Sequence, residues 1–126
     1  MNIFIDDIRY PSYIKHKLNL LYPIDWVVIR SYNDFVNILK TDIKIDIISF
    51  DHDLDSLEYT GMDCLRLLIN YFIEKGLKFP DWYVHTSNTV GRANLIGLIK
   101  NYLKNIEGID IDIKYYHNGI IKNTIL

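Results

Sequence analysis

Three short segments of the sequence combine the residue types that most often catalyse reactions or bind metal ions. They are Asp6-Asp7, Asp51-His52-Asp53 and His85-Thr86-Ser87-Asn88. If these segments meet, four carboxylates and two imidazoles share one crevice, where like charges repel each other. A divalent cation is the simplest compensation. Carboxylate oxygens suit Mg²⁺ or Mn²⁺, whereas imidazoles favour Mn²⁺ or Zn²⁺.

Each of these residues also has a structural explanation. An Asp at a strand end often only caps the next turn or helix, and Ser87 or Asn88 is a candidate helix cap. A lone His that closes an apolar strand, as His85 does, is often a core residue. The two acidic segments occurring together with two histidines favour a functional interpretation. His52 directly follows Asp51, so it enters a shared pocket only if the strand has already ended.

Short apolar runs precede these segments and predict strands. The runs cover residues 3–5, 25–30, 46–51 and 81–85. They are continuous rather than alternating, which is typical of strands buried on both faces. Residues 109–114 alternate strictly and predict a half-exposed edge strand, and Asn118-Gly119 then favours a tight turn.

Helical patterns lie between the predicted strands. Ser31 with Asp34, and Thr60 with Asp63, have the spacing of a capping box at a helix start. The second helix is expected to end at Gly76, and a third runs from Asn88 to about residue 108. The helical signal of residues 10–22 is weak.

Strands that alternate with helices predict an α/β fold with a parallel sheet and helices on both faces. We expect a flavodoxin-like, doubly wound, mainly parallel sheet of five strands in the order 2-1-3-4-5, with strand 5 drawn from residues 109–116. Ligands in such folds bind at the carboxyl ends of strands 1 and 3. The three segments should therefore converge in one solvent-accessible pocket, with the Asp51 and His85 side chains within ~12 Å, because proton transfer needs close approach.

Composition bounds the function further. The 126 residues amount to one domain, with 14 Lys and Arg against 16 Asp and Glu and a net charge of −2. This balance argues against an extended nucleic-acid surface, although a single phosphate or RNA end remains a candidate ligand. The single cysteine, the lack of a long apolar run and the acidic start predict a cytoplasmic protein without a membrane segment.

The strand-end segments, taken with their neighbours, resemble a known family. Asp6-Asp7 and Asp51 resemble the acidic pocket of response-regulator receiver domains. The closer resemblance is to the cyclic-phosphate processing receiver-like domains, which are often phage-encoded. Four motifs occur in order: Asp6-Asp7-Ile8-Arg9, Ser49-Phe50-Asp51-His52-Asp53-Leu54, Thr60-Gly61-Met62-Asp63-Cys64 and Val84-His85-Thr86-Ser87-Asn88-Thr89-Val90-Gly91. The resemblance covers residues 1 to about 104, and departs where Thr86 replaces Ser and Thr89 replaces Pro.

The resemblance implies a metal-assisted phosphoesterase that acts on cyclic phosphates, either 2′,3′-cyclic phosphate RNA ends or cyclic nucleotides. Asp6 and Asp7 match the first-strand carboxylates that hold Mg²⁺ in receivers, and Asp51 matches the phosphoryl-acceptor position. The expected metal ligands are Asp6, Asp7 and Asp51, with Mg²⁺ or Mn²⁺ expected more than Zn²⁺. The residue chemistry agrees, because imidazole titrates near neutral pH. The expected catalytic residues are His52, His85 and Asp53. The expected phosphate-binding residues are Arg9, Thr86 and Asn88, with Arg30 and Arg92 as weaker candidates.

Two other functions use the same pocket. One is a non-catalytic module that binds a nucleotide, an RNA end or a protein partner. The other is a signalling domain that accepts a phosphoryl group on Asp51, as ordinary receivers do. Phosphorelay needs no imidazole, and ordinary receivers carry a lysine at the end of strand 5, for which Lys114 is the only candidate. Both facts argue against the signalling role.

Overall fold

The computed structural model describes residues 1–12, 25–54, 56–116 and 120–125. The strands are β1 (Asn2–Ile5), β2 (Val27–Ile29), β3 (Ile47–Phe50), β4 (Asp81–Val84), β5 (Ile111–Tyr116) and β6 (Ile120–Ile125). The helices are α1 (Tyr32–Leu39), α2 (Gly61–Lys75) and α3 (Thr89–Tyr102), and α3 continues as a π-helical segment, Leu103–Glu107. Most of the weak helical signal and the Asn118-Gly119 turn lie outside the described residues.

The strands form one sheet in the order β2-β1-β3-β4-β6-β5. The first four strands are parallel, which confirms the predicted α/β receiver-like fold and the order 2-1-3-4. Parallel neighbours need crossover connections, and the described helices α1 and α2 lie between successive parallel strands. The strand order reverses between β1 and β3, so the carboxyl ends of these two strands are the predicted ligand-binding place. The side of the sheet where the carboxyl ends of the parallel strands lie is called the carboxyl edge below.

The sheet differs from the prediction beyond β4. No fifth parallel strand lies beside β4 in the described part of the chain. That place belongs to β6, which runs antiparallel to β4 with Val84 opposite Ile121. The strand predicted within residues 109–116 exists as β5, but it pairs only with β6 and forms the outer edge. Three residues separate β5 from β6, a connection that suits an antiparallel pair.

The core explains why the apolar runs are continuous. Ile3, Phe4 and Ile5 of β1 are all fully buried. Ile3 and Ile5 belong to the large cluster that includes the helix residues Phe35 and Leu65. Phe4 instead belongs to a second cluster, with Tyr83 of β4, on the opposite face of the sheet. Both faces of β1 therefore bury apolar side chains, which holds its carboxyl end in a fixed place.

The helix ends follow the predicted signals. Ser31 caps α1 by accepting a hydrogen bond from the Asp34 N–H at 3.1 Å. Thr60 and Asp63 form a reciprocal capping box at the start of α2, and Gly76 ends this helix in the left-handed conformation. None of the helices in the described ranges has the length and apolar character needed to cross a lipid bilayer.

The capping box gives a prediction about stability. Thr60→Ala should lower the free energy of unfolding by about 0.5–2 kcal/mol, because it removes a side-chain acceptor at the helix start. Thr60→Ser keeps the hydroxyl and should retain most of the stability. Urea denaturation of both variants measures the difference. An equal loss in both variants would show that the threonine methyl group, and not the cap, stabilises this region.

Candidate active site

The register of the sheet places the three polar segments side by side. Ile5 of β1 pairs with Phe50 of β3, and Phe50 pairs with Val84 of β4. The backbone continues this alignment by one residue, since the Asp51 N–H donates to the Ile5 carbonyl at 2.9 Å and the His85 N–H donates to the Phe50 carbonyl at 3.0 Å. The first residues after β1, β3 and β4 therefore lie side by side at the carboxyl edge of the sheet, as predicted.

An acidic cluster forms at this edge from Asp6, Asp7 and Asp51. One carboxylate oxygen from each residue lies within 4.8 Å of the others. Asp6 and Asp51 are buried, and Asp7 is half-buried. Three carboxylates at this spacing repel one another unless positive charge or hydrogen-bond donors offset the repulsion.

Asp6 is the most fully hydrogen-bonded member of the cluster. Its Oδ1 accepts the N–H groups of Ile8 at 2.9 Å and Arg9 at 2.8 Å. Its Oδ2 accepts the Arg9 Nε–H at 2.8 Å and lies 3.1 Å from His85 Nε2. Burial alone raises the pKa of Asp6, but these hydrogen bonds outweigh it and hold the pKa well below its usual range. Asp6 is therefore a stable buried anion.

Asp51 differs from Asp6 in its electrostatics. Burial is the main reason that the pKa of Asp51 is raised, and the charge of Asp6 adds to it. The neighbouring His85 ring, the charge of Arg9 and a hydrogen bond with the Thr86 side chain act in the opposite direction. Asp51 also accepts the His52 N–H at 2.8 Å through Oδ1. Two neighbouring carboxylates thus have pKa values shifted in opposite directions.

His85 lies beneath the cluster and not in an open pocket. Its side chain is 0% exposed and stacks on Phe4, with the ring centroids 4.3 Å apart. Nδ1 lies 2.7 Å from the Ser49 Oγ. A carboxylate only accepts hydrogen bonds, so Nε2 donates to Asp6 and neutral His85 accepts the Ser49 hydroxyl at Nδ1. Burial lowers the pKa of His85, against the opposing effect of Asp6. The expectation that His85 is solvent-accessible is wrong.

A second group of polar residues lies on the outer side of the cluster. β3 ends at Phe50, so the chain has turned at His52, whose side chain is 16% exposed. His52 Nδ1 lies 2.9 Å from Asp53 Oδ1. Asn88 Nδ2 donates to both Asp53 oxygens at 3.2 Å, and Asn88 Oδ1 accepts the Gly91 N–H as the cap of α3. The pKa of Asp53 is lowered chiefly by its hydrogen bond with His52.

The predicted phosphate-binding residues have protein partners in this structure. Arg9 contacts Asp6 and also Asp51, with its Nη2 3.3 Å from Asp51 Oδ1. Thr86 is buried, and its hydroxyl accepts the Asn88 N–H at 3.2 Å. Asn88 itself contacts Asp53. The structure thus brings the predicted site residues to one edge, and the phosphate role of these three stays a prediction.

Two residues gain roles that the sequence analysis did not assign. Ser49 orients His85, and Arg30 Nη1 donates to the carbonyls of Asp6 at 3.2 Å and Arg9 at 2.7 Å. A serine inside an otherwise apolar strand was the available signal for Ser49. The position of Arg30 at the end of β2 was a weaker signal.

Two glycines allow the close contacts around the site. A Cβ on Gly61 would lie 1.8 Å from the Asp51 carbonyl oxygen, and the Gly61 N–H donates to the His52 carbonyl at 2.7 Å. A Cβ on Gly91 would lie 2.3 Å from the His52 ring. The starts of α2 and α3 therefore approach the Asp51-His52 segment only because both positions lack a side chain.

This close approach predicts a large effect of one methyl group. Gly61→Ala should destabilise the protein by about 1–3 kcal/mol or more, because the new Cβ collides with backbone atoms that cannot rotate away. Gly97→Ala in α3 is the matched control, since its added Cβ meets nothing within 4 Å beyond its chain neighbours and the backbone of its own helix. That change should stabilise the helix by up to about 1 kcal/mol. Thermal unfolding of both variants measures the two changes in stability. Equal changes in melting temperature would contradict the steric argument.

Comparison with known proteins identifies a family. A family model described as the cyclic-phosphate processing receiver domain matches residues 1–101. The matched range includes β1 to β4 and every candidate site residue, and it ends before β5 and β6. No curated protein matches the chain at a significant level, and no solved structure does so either.

Proposed function

The chain belongs to the family of cyclic-phosphate processing receiver domains, and from this premise we propose that it is a metal-assisted phosphoesterase that hydrolyses cyclic phosphates. The proposed substrates are 2′,3′-cyclic phosphate RNA ends or cyclic nucleotides. The observation that carries the proposal is the acidic cluster of Asp6, Asp7 and Asp51 beside the partly exposed His52. A phosphate-cleaving site needs this combination of anionic oxygens for a cation and a nearby proton carrier.

The donor set of the acidic cluster fits a divalent cation. All three donors are carboxylate oxygens within 4.8 Å of one another, and hard oxygen ligands favour Mg²⁺ or Mn²⁺ over Zn²⁺. Asp6, Asp7 and Asp51 are the residues that hold the ion in this proposal. When bound, such a cation supplies positive charge that stabilises the phosphate oxygens and makes water more acidic.

His52 is the better candidate for proton transfer. Hydrolysis adds water across one ester bond of the cyclic phosphate: the water oxygen bonds to phosphorus, the ester P–O bond breaks, and a proton reaches the released hydroxyl. A neutral His52 that donates through Nδ1 to Asp53 leaves Nε2 as a proton acceptor. Nε2 can take the proton from the attacking water and return it to the leaving oxygen. Asp53 and Asn88 hold the ring in place.

His85 has a positioning role in this proposal. Both of its ring nitrogens have partners, Ser49 on one side and Asp6 on the other. Its side chain is buried behind Asp6, so its direct partner is the carboxylate and not the substrate. His85 thus keeps Asp6 oriented and charged.

The two histidines can be separated by experiment. His52→Gln should lower turnover by roughly 10²–10⁴-fold with little change in melting temperature, because it removes a proton carrier. His85→Ala should lower the melting temperature clearly, since it leaves buried polar groups without a partner at a cost of about 1–3 kcal/mol. Turnover per folded molecule and thermal unfolding are measured on the same samples. Lost turnover with unchanged stability in the His85 variant would assign the proton transfer to His85 instead.

Turnover itself is tested on a panel of 2′,3′-cyclic and 3′,5′-cyclic nucleotides and an RNA with a 2′,3′-cyclic phosphate end. We expect hydrolysis with Mg²⁺ or Mn²⁺ and none after chelation, because the cation charge is needed. Asp51→Asn should abolish hydrolysis. Asp42→Asn, in an exposed ion pair with Lys75 away from the site, is the matched control and should leave it intact.

Two outcomes of these assays would overturn the proposed activity. Binding of the cyclic phosphates without hydrolysis would indicate a non-catalytic module. The second outcome comes from incubation with acetyl phosphate. A gain in mass of one phosphoryl group that Asp51→Asn does not show, with no hydrolysis of the cyclic phosphates, would indicate a phospho-acceptor.

A further inference from the structure

Arg9 lies across both buried carboxylates of the acidic cluster. Its Nε is 2.8 Å from Asp6 Oδ2, and its Nη2 is 3.3 Å from Asp51 Oδ1. The side chains of these carboxylates are 1% and 7% exposed, whereas that of Arg9 is 27% exposed. One guanidinium thus supplies counter-charge to two of the three residues of the cluster.

The two oxygens of Asp6 have different partners. Oδ1 accepts two backbone N–H groups, from Ile8 and Arg9, which belong to the turn itself. Oδ2 accepts the Arg9 side chain and His85. The two backbone donors to Oδ1 cannot leave without a change in the path of the turn. Any further ligand of Asp6 therefore has to bind at Oδ2. The Arg9 guanidinium occupies that oxygen.

The backbone around Arg9 is held independently of its side chain. Arg30 Nη1 donates to the carbonyls of both Asp6 and Arg9, and the Arg9 N–H is bonded to Asp6 Oδ1. Arg9 can therefore exchange partners by rotating its long side chain, without movement of the turn. Arginine has the rotatable bonds that such a change requires.

From these contacts we infer that Arg9 is an internal competitor of the divalent cation and a phosphate ligand once displaced. This inference rests on the proposed function. The guanidinium contacts Asp6 and Asp51, two of the three carboxylates that would hold the cation, and the like charges of guanidinium and cation repel at this range. Binding of the cation therefore releases the guanidinium at the rim of the cluster, where its planar N–H groups suit two phosphate oxygens.

The inference predicts effects of opposite sign from one substitution. Arg9→Gln removes the competing charge, so its affinity for Mn²⁺ should be at least about 10-fold higher than that of the unmodified chain. The same variant lacks the phosphate donor, so inorganic phosphate should bind about 10-fold more weakly to the protein saturated with Mg²⁺. A residue that only stabilised the fold would not strengthen cation binding.

Isothermal titration calorimetry measures both affinities on the full chain. Arg66→Gln is the matched control, because Arg66 also pairs with an aspartate, Asp63 at 3.5 Å, but lies on α2 outside the acidic cluster. It should change neither affinity. Arg9→Lys keeps the charge but cannot span two carboxylates as a planar fork does. It should give a smaller gain in Mn²⁺ affinity, and it replaces Arg9→Gln if that variant does not fold.

The outcomes separate this inference from the proposed function. Tighter Mn²⁺ binding and weaker phosphate binding in Arg9→Gln support the competition even if no cyclic phosphate is hydrolysed, in which case only the proposed activity fails. If the unmodified chain binds Mn²⁺ and Arg9→Gln binds it equally well or more weakly, only the competition is wrong. If neither protein binds Mn²⁺, both the metal-assisted function and the competition are wrong.

Discussion

The charged state of the buried Asp6 is the constraint around which this edge of the sheet is organised. A carboxylate with 1% of its surface exposed is stable only with several hydrogen-bond donors. The turn after β1 provides two backbone N–H groups, Arg9 provides a guanidinium, and His85 provides a ring N–H. Three of these donors belong to the turn after β1, and the fourth comes from the end of β4. Asp6 thus links the β1 turn to the β4 end through direct contacts.

The other site residues divide around this anion by depth. His85 and Thr86 are buried and contact Asp6 and Asp51 from the protein side, and the buried Ser49 contacts His85. His52 and Asp53 are on the outer side, where the chain has left β3 and can meet a ligand. In the proposed mechanism the buried histidine therefore maintains the charge of the site, while the partly exposed one exchanges protons. Chemically identical side chains receive different roles because burial changes which form of imidazole is stable.

The approach of the helices completes the site. The starts of α2 and α3 lie against the Asp51-His52 segment at Gly61 and Gly91, where a side chain would collide with backbone or ring atoms. Such contacts fix the turn after β3, so His52 faces the start of α3 and not the core. The antiparallel pair β5 and β6 lies at the far edge of the sheet from β2, beyond the range matched by the family model. It extends the sheet past β4.

The sequence alone determined the features that depend on local pattern. Continuous apolar runs predicted the four parallel strands, capping residues such as Thr60 predicted the helix starts, and the topology rule then placed Asp6, Asp51 and His85 at one edge. Only the tertiary structure decided how deep each side chain lies and which partner it has. The depth of His85 depends on Ser49 and Phe4, which are distant in the chain, and a periodic pattern does not encode such contacts. The long side chain of Arg9 could reach a ligand or a carboxylate, and the folded positions of Asp6 and Asp51 select the carboxylates. The place of β5 was decided in the same way, because the alternation of residues 109–114 specifies an edge strand but not the neighbour with which that strand pairs.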